Sequence, residues 1–322
     1  MKIMVTGASG FLGSWATRIL ASDHDIYAII RKESSDFRIA NLTKIHIIRE
    51  DPELWFQLID NIKPDIILIL NWSGVENSSR NSSLQFSNVD FFHRLVDQAV
   101  KSNVKKILGF GSQAELGPVS NTILESEEDN PTTLYGKAKV ECRKYAVEAS
   151  RNSNTNFVWV RIFSTYGPMD SESWLIPSAV ISLADSKPFN STLGIQEWSF
   201  LHAFDFASAV KLIIESDSVQ NIYNLGNPNT NIVNEVLLLI GDIMGRKDLI
   251  KFGTVPYRSD QVMKLKPACE SLIKLGWKPK INLVAGIKQT IDWYLFKKET
   301  PIILNDNGTI FFDLPERIKK LP

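Results

Sequence analysis

The first half of the chain alternates two patterns of apolar residues. In Ile3–Val5, Asp25–Ile30, Lys44–Ile48, Asp65–Leu70, Lys105–Gly109 and Asn156–Arg161 the apolar residues run nearly without a break. Short runs of Ile, Leu and Val predict strands buried on both faces. In Gly10–Ala21, Pro52–Asn61, Phe91–Ser102 and Tyr135–Ala149 the apolar residues recur every three or four positions, which predicts helices. Strands alternating with helices predict an α/β fold with a doubly wound parallel sheet. Ligands of such sheets bind beyond the carboxyl ends of the strands. The loops after Val5, Ile30, Leu70, Gly109 and Ile162 are therefore expected to surround one crevice.

The second half is less regular. Trp174–Asp185, Asp205–Glu215 and Val233–Met244 have helical patterns, and proline and glycine punctuate the rest. This predicts a smaller, discontinuous C-terminal substrate domain capping the crevice. Residues 1–168, with 196–222 returning to them, would form the nucleotide-binding domain. Residues 169–195 and 223–300 would form the substrate domain, and 301–322 an extension. In that extension Asn305-Asp306-Asn307-Gly308 lies between two short apolar runs of Ile302–Phe312, the signature of a hairpin. Glu316–Pro322 is charged and proline-flanked.

Composition adds exclusions. The 322 residues, 44% apolar and 22% charged, allow one large domain or two of ordinary size. Thirty-six basic and thirty-six acidic side chains cancel. No global field then favours nucleic acid or a membrane surface, so an anionic ligand must be held locally. Cys142 and Cys269 form no CxxC and read as reduced thiols. His24, His46, His93 and His202 are scattered, and no metal site is expected. Ile3–Val5 is too short for a signal peptide and Ile66–Leu70 too short for a membrane span. The default expectation is a cytoplasmic protein.

Three motifs carry chemistry. Thr6-Gly7-Ala8-Ser9-Gly10-Phe11-Leu12-Gly13 follows a predicted strand and opens a helix. Gly7 allows a sharp turn, Gly10 a close approach of backbone to phosphate, and Gly13 tight packing of helix on sheet. The helix N-terminus offers free N–H groups to a pyrophosphate. At the end of the next strand stand Arg31 and Lys32, where an NAD-specific site places a carboxylate for the ribose hydroxyl. A guanidinium suits the 2′-phosphate of NADP, with Ser9 nearby, and makes NAD the less expected cofactor. Finally, Tyr135 and Lys139 lie four apart on one helix face. An ammonium beside a phenol favours the phenolate, which predicts a tyrosine that exchanges a proton with a carbonyl or alcohol oxygen.

At these residues the chain resembles the extended short-chain dehydrogenase/reductase family, the nucleotide-sugar epimerases, dehydratases and reductases, from Lys2 to about Pro279. The resemblance implies a Rossmann-like fold. Gly7, Gly10 and Gly13 match its glycine motif. Ser112 matches the Ser/Thr that hydrogen-bonds the reacting oxygen, and Tyr135 and Lys139 match its catalytic pair. Arg161–Pro168 is similar to its R-x-F-N-x-Y-G-P signature, with Ser164 in place of Asn, and Leu275-Gly276-Trp277-Lys278-Pro279 to its LGWxP. In 4,6-dehydratases of the family the two positions after the Ser/Thr are Asp and Glu; here they are Gln113 and Ala114, which cannot ionise. Trp174–Pro177 and Gln196–Leu201 look most like dTDP-4-dehydro-6-deoxyglucose reductases and related 4-ketoreductases.

The resemblance thus implies NADPH-dependent reduction of a nucleotide-activated 4-keto-6-deoxy sugar, with Ser112, Tyr135 and Lys139 catalytic. A 4-epimerase with bound NAD and a non-catalytic NADP-sensing relative are the alternatives. Gln113, Glu115, Ser164, Trp174, Trp198 and Arg258 are candidate substrate contacts. Arg258 is either a partner for the pyrophosphate or a surface arginine, and Trp174 and Trp198 either stack on base or sugar or fill core. Glu115 is either a sugar-hydroxyl ligand or a solvated loop carboxylate. Asp51 either accepts from the adenine amino group or initiates the helix at Pro52. Asn88 resembles a conserved helix Asn of the family or is an N-cap, and His202 reads as structural. A homodimer is expected through Phe91–Val100 and Tyr135–Ala149, because Phe92, Leu95 and Val96 exceed what one buried face requires.

Overall fold

The strands β1 (Lys2–Thr6), β2 (Asp25–Ile30), β3 (Ile45–Arg49), β4 (Ile66–Ile69), β5 (Lys106–Ser112) and β6 (Asn156–Ile162) join Ile222–Leu225 in one parallel sheet. The computed structural model describes residues 1–217, 220–258, 260–296, 302–304 and 310–312. Strand order is Ile222–Leu225, β6, β5, β4, β1, β2, β3. The order reverses between β1 and β4, and it is at the carboxyl ends beside such a reversal that sheets of this kind bind ligands. Side chains alternate across the sheet: Ile3 and Val5 face one apolar cluster, Met4 the other. Both clusters are buried, which is why the strands read as unbroken apolar runs.

Helices α1 (Phe11–Leu20) and α6 (Ala203–Glu215) pack together on the first face. Helices α2 (Trp55–Ile62), α3 (Leu84–Lys101) and α4 (Leu134–Ser150) cover the second. Helix α3 starts seven residues before the predicted Phe91. The polar Gln85 is 1% exposed there while Phe86 is 64% exposed, an inversion that hides the helical period. Phe92, Leu95 and Val96 are buried against the sheet of their own chain, so they leave no surplus apolar face and lend the expected homodimer no support.

A second layer is built from α5 (Leu175–Ala184), α7 (Val233–Met244) and the helix Leu283–Phe296, packed around Val180, Leu237, Ile240, Ile287 and Ile291. The last of these helices was not foreseen, nor was the strand Ile222–Leu225. That strand carries the returning segment three residues past the expected boundary at 222. Short strands complete the layer. Glu197–Ser199 pairs with Thr230–Ile232 and Lys264–Leu265, and Phe189–Asn190 with Ile250–Lys251. Ile302–Leu304 and Ile310–Phe312 pair antiparallel as expected of a hairpin. Its turn, Asn305–Gly308, and the stretch Glu316–Pro322 lie outside the described residues. Cys142 and Cys269 are buried free thiols. Among the described residues no helix is long and apolar enough to cross a membrane.

Candidate active site

The loop from β1 into α1 is shaped by absent side chains. Gly7 has φ +70°, and a Cβ there would lie 2.7 Å from the Asn71 nitrogen; one at Gly13 would lie 2.1 Å from the Gly7 oxygen. Helix α1 has no side-chain cap and no acid in its first turn, and Gly10 is exposed. The amides of Phe11, Leu12 and Gly13 are thus left for an anion. Arg38, which no sequence pattern singled out, braces the loop. Its guanidinium donates to the carbonyls of Ser9 (3.2 Å) and Met169 (2.9 Å).

At the end of β2 the two cations differ. Lys32 lies 2.7 Å from both Asp51 and Glu50, and these bonds, Asp51's first, push its pKa up. Lys32 and Asp51 therefore satisfy each other, and the Asp51 side chain does not cap the turn that follows. Arg31 is held only loosely, its side chain 56% exposed and its Nε 3.8 Å from Glu33.

Ser112 is the last residue of β5, and Tyr135 and Lys139 lie in the first turns of α4. The start of α4 is fixed by Thr133, whose hydroxyl accepts from the Gly136 amide at 3.1 Å. All three side chains are buried. The Ser112 hydroxyl accepts from the Ala114 amide at 3.2 Å and lies close enough to the Tyr135 phenol to favour its ionised form. Lys139 Nζ donates to the Phe110 carbonyl at 2.8 Å, lies 3.4 Å from the centre of the Trp72 ring, and is 5.8 Å from that of Tyr135. Burial lowers its pKa to about 7. Burial also raises the Tyr135 pKa, opposed by the Ser112 hydroxyl and then by the nearby Arg80 charge. The expectation that Lys139 depresses the phenol is corrected here: its ammonium is turned to Phe110 and Trp72, and burial works against its own charge.

Glu115 is neither a sugar ligand nor a solvated carboxylate; it has 0% exposure. Its Oε1 accepts from the Ser112 amide (2.8 Å) and the Trp159 indole (3.0 Å), and its Oε2 from Arg161 (3.3 Å). Arg143 lies 3.5 Å away and Asp129 pairs with both arginines. This carboxylate is locked behind Ser112 and faces no cleft.

The sequence model of the NAD dependent epimerase/dehydratase family matches residues 3–226. The chain belongs to this family. It is an oxidoreductase-type enzyme that works with a pyridine nucleotide. A human (Homo sapiens) relative, dTDP-D-glucose 4,6-dehydratase, is 26% identical over 317 residues, covering 91% of this chain and 89% of that protein. A probable dTDP-glucose 4,6-dehydratase of Sinorhizobium fredii is 24% identical over 328 residues, covering 92% and 93%. The UDP-N-acetylglucosamine 4-epimerase from Methanobrevibacter ruminantium M1 superposes with a TM-score of 0.84 at 22% identity, covering 91% of this chain and 98% of that one. The dTDP-glucose 4,6-dehydratase from Bacillus anthracis, solved in complex with NAD, gives 0.82 at 20% identity, covering 93% and 98%. These relatives are dehydratases and epimerases, so the resemblance holds at the level of the family rather than of its 4-ketoreductases.

The remaining candidate residues have the following surroundings. Asn88 is no N-cap; its amide exchanges two hydrogen bonds with the Ser73 backbone, at 2.8 and 3.1 Å, and ties the loop after β4 to α3. His202 caps α6, its Nδ1 accepting from the Phe204 amide, and burial lowers its pKa to about 3. The Gln113 Oε1 is buried without a protein partner. Trp198 donates its indole N–H to the Val262 carbonyl at 2.8 Å, which leaves only its ring face for a ligand. Trp174 is half-buried at the start of α5, and the Ser164 carbonyl accepts from the Leu201 amide. Arg258 is exposed, 3.3 Å from Asp260, and its charge bears on Arg80 beside Tyr135.

Proposed function

We propose that this enzyme reduces the 4-keto group of a nucleotide-activated 6-deoxy sugar with NADPH. The observation that carries the reading is the turn after Ser112. Gln113 and Ala114 cannot ionise, and Glu115 is sealed among arginines, so the turn offers the cleft no acid or base for removing water or for taking a proton from carbon. What remains is a proton relay at one oxygen. Ser112 orients the sugar carbonyl. Tyr135, whose pKa burial holds above the usual phenol value, keeps its proton at neutral pH and gives it to the nascent alkoxide. Lys139, one helical turn after Tyr135, would hold the nicotinamide ribose.

The uncapped start of α1, with Gly7, Gly10 and Gly13, fits a dinucleotide pyrophosphate, and the loosely held Arg31 fits a 2′-phosphate. When bound, NADPH supplies the hydride. Arg258 suits the diphosphate of the substrate, and Gln113, through its unpartnered Oε1, a sugar hydroxyl. Ser164 and the ring faces of Trp174 and Trp198 are the remaining contacts.

A 4-epimerase with tightly bound NAD is the second reading, favoured by the epimerases among the relatives. Release and identification of any bound cofactor, then NADPH oxidation with nucleotide 4-keto-6-deoxy sugars, separates the two. We expect NADPH consumption matched by 4-hydroxy product. Tyr135→Phe should lose about 10² to 10⁴ in turnover while keeping its NADPH affinity. Retained NAD and interconversion of 4-epimers without net oxidation would overturn the proposal.

A further inference from the structure

The loop between β4 and α3 places a residue against the catalytic tyrosine that the reading above leaves unused. The first amides of a helix have no partner within it. In α4 two of them are taken by this loop: the Tyr135 amide donates to the Arg80 carbonyl at 2.8 Å, and the Leu134 amide to Asn81 Oδ1 at 3.0 Å. The loop is itself pinned from below by buried Gln85. Gln85 donates to the carbonyls of Gly74 (2.9 Å) and Ser79 (3.0 Å) and accepts from the Trp72 indole (3.0 Å). Arg80 Nε donates to the Val75 carbonyl at 3.2 Å, which folds the side chain back so that its guanidinium carbon lies 5.5 Å from the Tyr135 ring centre.

We propose that Arg80 is a positioning residue for proton transfer: it docks the loop on the first turn of α4 and sets a fixed positive charge against the Tyr135 phenol. This rests on Tyr135 being the proton donor. The charged and polar groups facing the phenol come from four places. They are Ser112 on β5, Glu115 in the turn after it, Arg80 on its loop, and Lys139 on α4 itself. Trp72 meets the ring edge-on at 6.0 Å. Arg80 in turn faces Arg258 and Asp260. Of these groups Ser112 and then Arg80 pull the phenol towards ionisation, Arg80 alone by a full charge, whereas burial and then Glu115 oppose it. Lys139 differs from Arg80: its ammonium donates to the Phe110 carbonyl and faces Trp72, and burial works against its charge, whereas a guanidinium stays charged.

The test installs a ring-fluorinated tyrosine in place of Tyr135 and titrates it by fluorine NMR in the ligand-free protein. Arg80→Met should move the midpoint up by about one unit, and Arg80→Lys by less than half of that. An unmoved midpoint in Arg80→Met overturns the proposal whatever the substrate. If Arg80→Met does not fold, Arg80→Gln takes its place in the same titration. In turnover, Arg80→Met should lose about tenfold in kcat with NADPH affinity unchanged, and should lose nothing further in a Tyr135→Phe background. Equal losses in both backgrounds mean that Arg80 does not act through Tyr135. A wild-type enzyme inert towards 4-keto sugars would sink the ketoreductase reading alone, since the fluorine titration needs no substrate.

Discussion

Glu115→Ala should be severely destabilising. The carboxylate is fully buried and receives the Ser112 amide, the Trp159 indole and Arg161, with Arg143 beside it. Removing one partner of a buried ion pair costs about 3–5 kcal/mol, because the other charge stays behind without compensation. The orphaned Ser112 amide and indole would add about 1–3 kcal/mol each if nothing relaxed. Asp129 softens the loss, since it lies 2.5 Å from Arg143 and 3.5 Å from Arg161. Contributions within one network do not add, so a net loss of about 4 kcal/mol is expected. That is a large share of the roughly 5–15 kcal/mol by which domains are stable. Glu115→Gln keeps the acceptor for Ser112 but turns an amide N–H₂ towards Arg161, and should lose nearly as much. Gly111→Ala gives an independent check, because its Cβ would lie 2.0 Å from Glu115 Oε1. Urea unfolding followed by both tryptophan fluorescence and circular dichroism reads the effect and exposes any separate unfolding of the two layers. A loss below about 1 kcal/mol in Glu115→Ala would refute the idea that a dry, coupled charge cluster supports Ser112.

Arg31→Ala should weaken NADPH about ten- to a hundredfold and leave NADH almost unchanged. Equal affinity of the wild type for the two cofactors contradicts the assignment to the 2′-phosphate. Asp170 is buried, and that burial raises its pKa to about 8 against the Ser171 amide and Arg38. An unfolded Asp titrates near about 3.9, so the folded state binds the proton more tightly. Its contribution to stability is full below the unfolded value and is lost as pH rises through about 8. Asp170→Asn stays neutral and should flatten the fall in stability between roughly pH 4 and 8; denaturation midpoints that track the wild type across that range would show that the carboxyl is solvated.

Much of the molecule was written in local pattern. Unbroken apolar runs marked β1, β2 and β4 because their side chains are buried on both faces whatever lies beyond them. The glycine loop was legible because Gly7 and Gly13 meet steric demands set within one strand–turn–helix unit. Tyr135 and Lys139 were legible because helical spacing alone puts them on one face. What only the tertiary structure decided is which polar groups are buried and with whom. Gln85 turns inward because Gly74, Ser79 and Trp72 wait there, which is why the start of α3 broke the expected period. Phe92, Leu95 and Val96 turned out to be core rather than interface because the sheet of the same chain covers them. Glu115 stands three residues after Ser112, yet its role was set by Arg161, forty-six positions further on. Lys139 sits by Tyr135 in sequence, but a second cation, Arg80, reaches the face of the same ring from another loop. Spacing along a chain fixes direction within one element. The charge and solvation of a side chain depend on neighbours that folding brings from elsewhere.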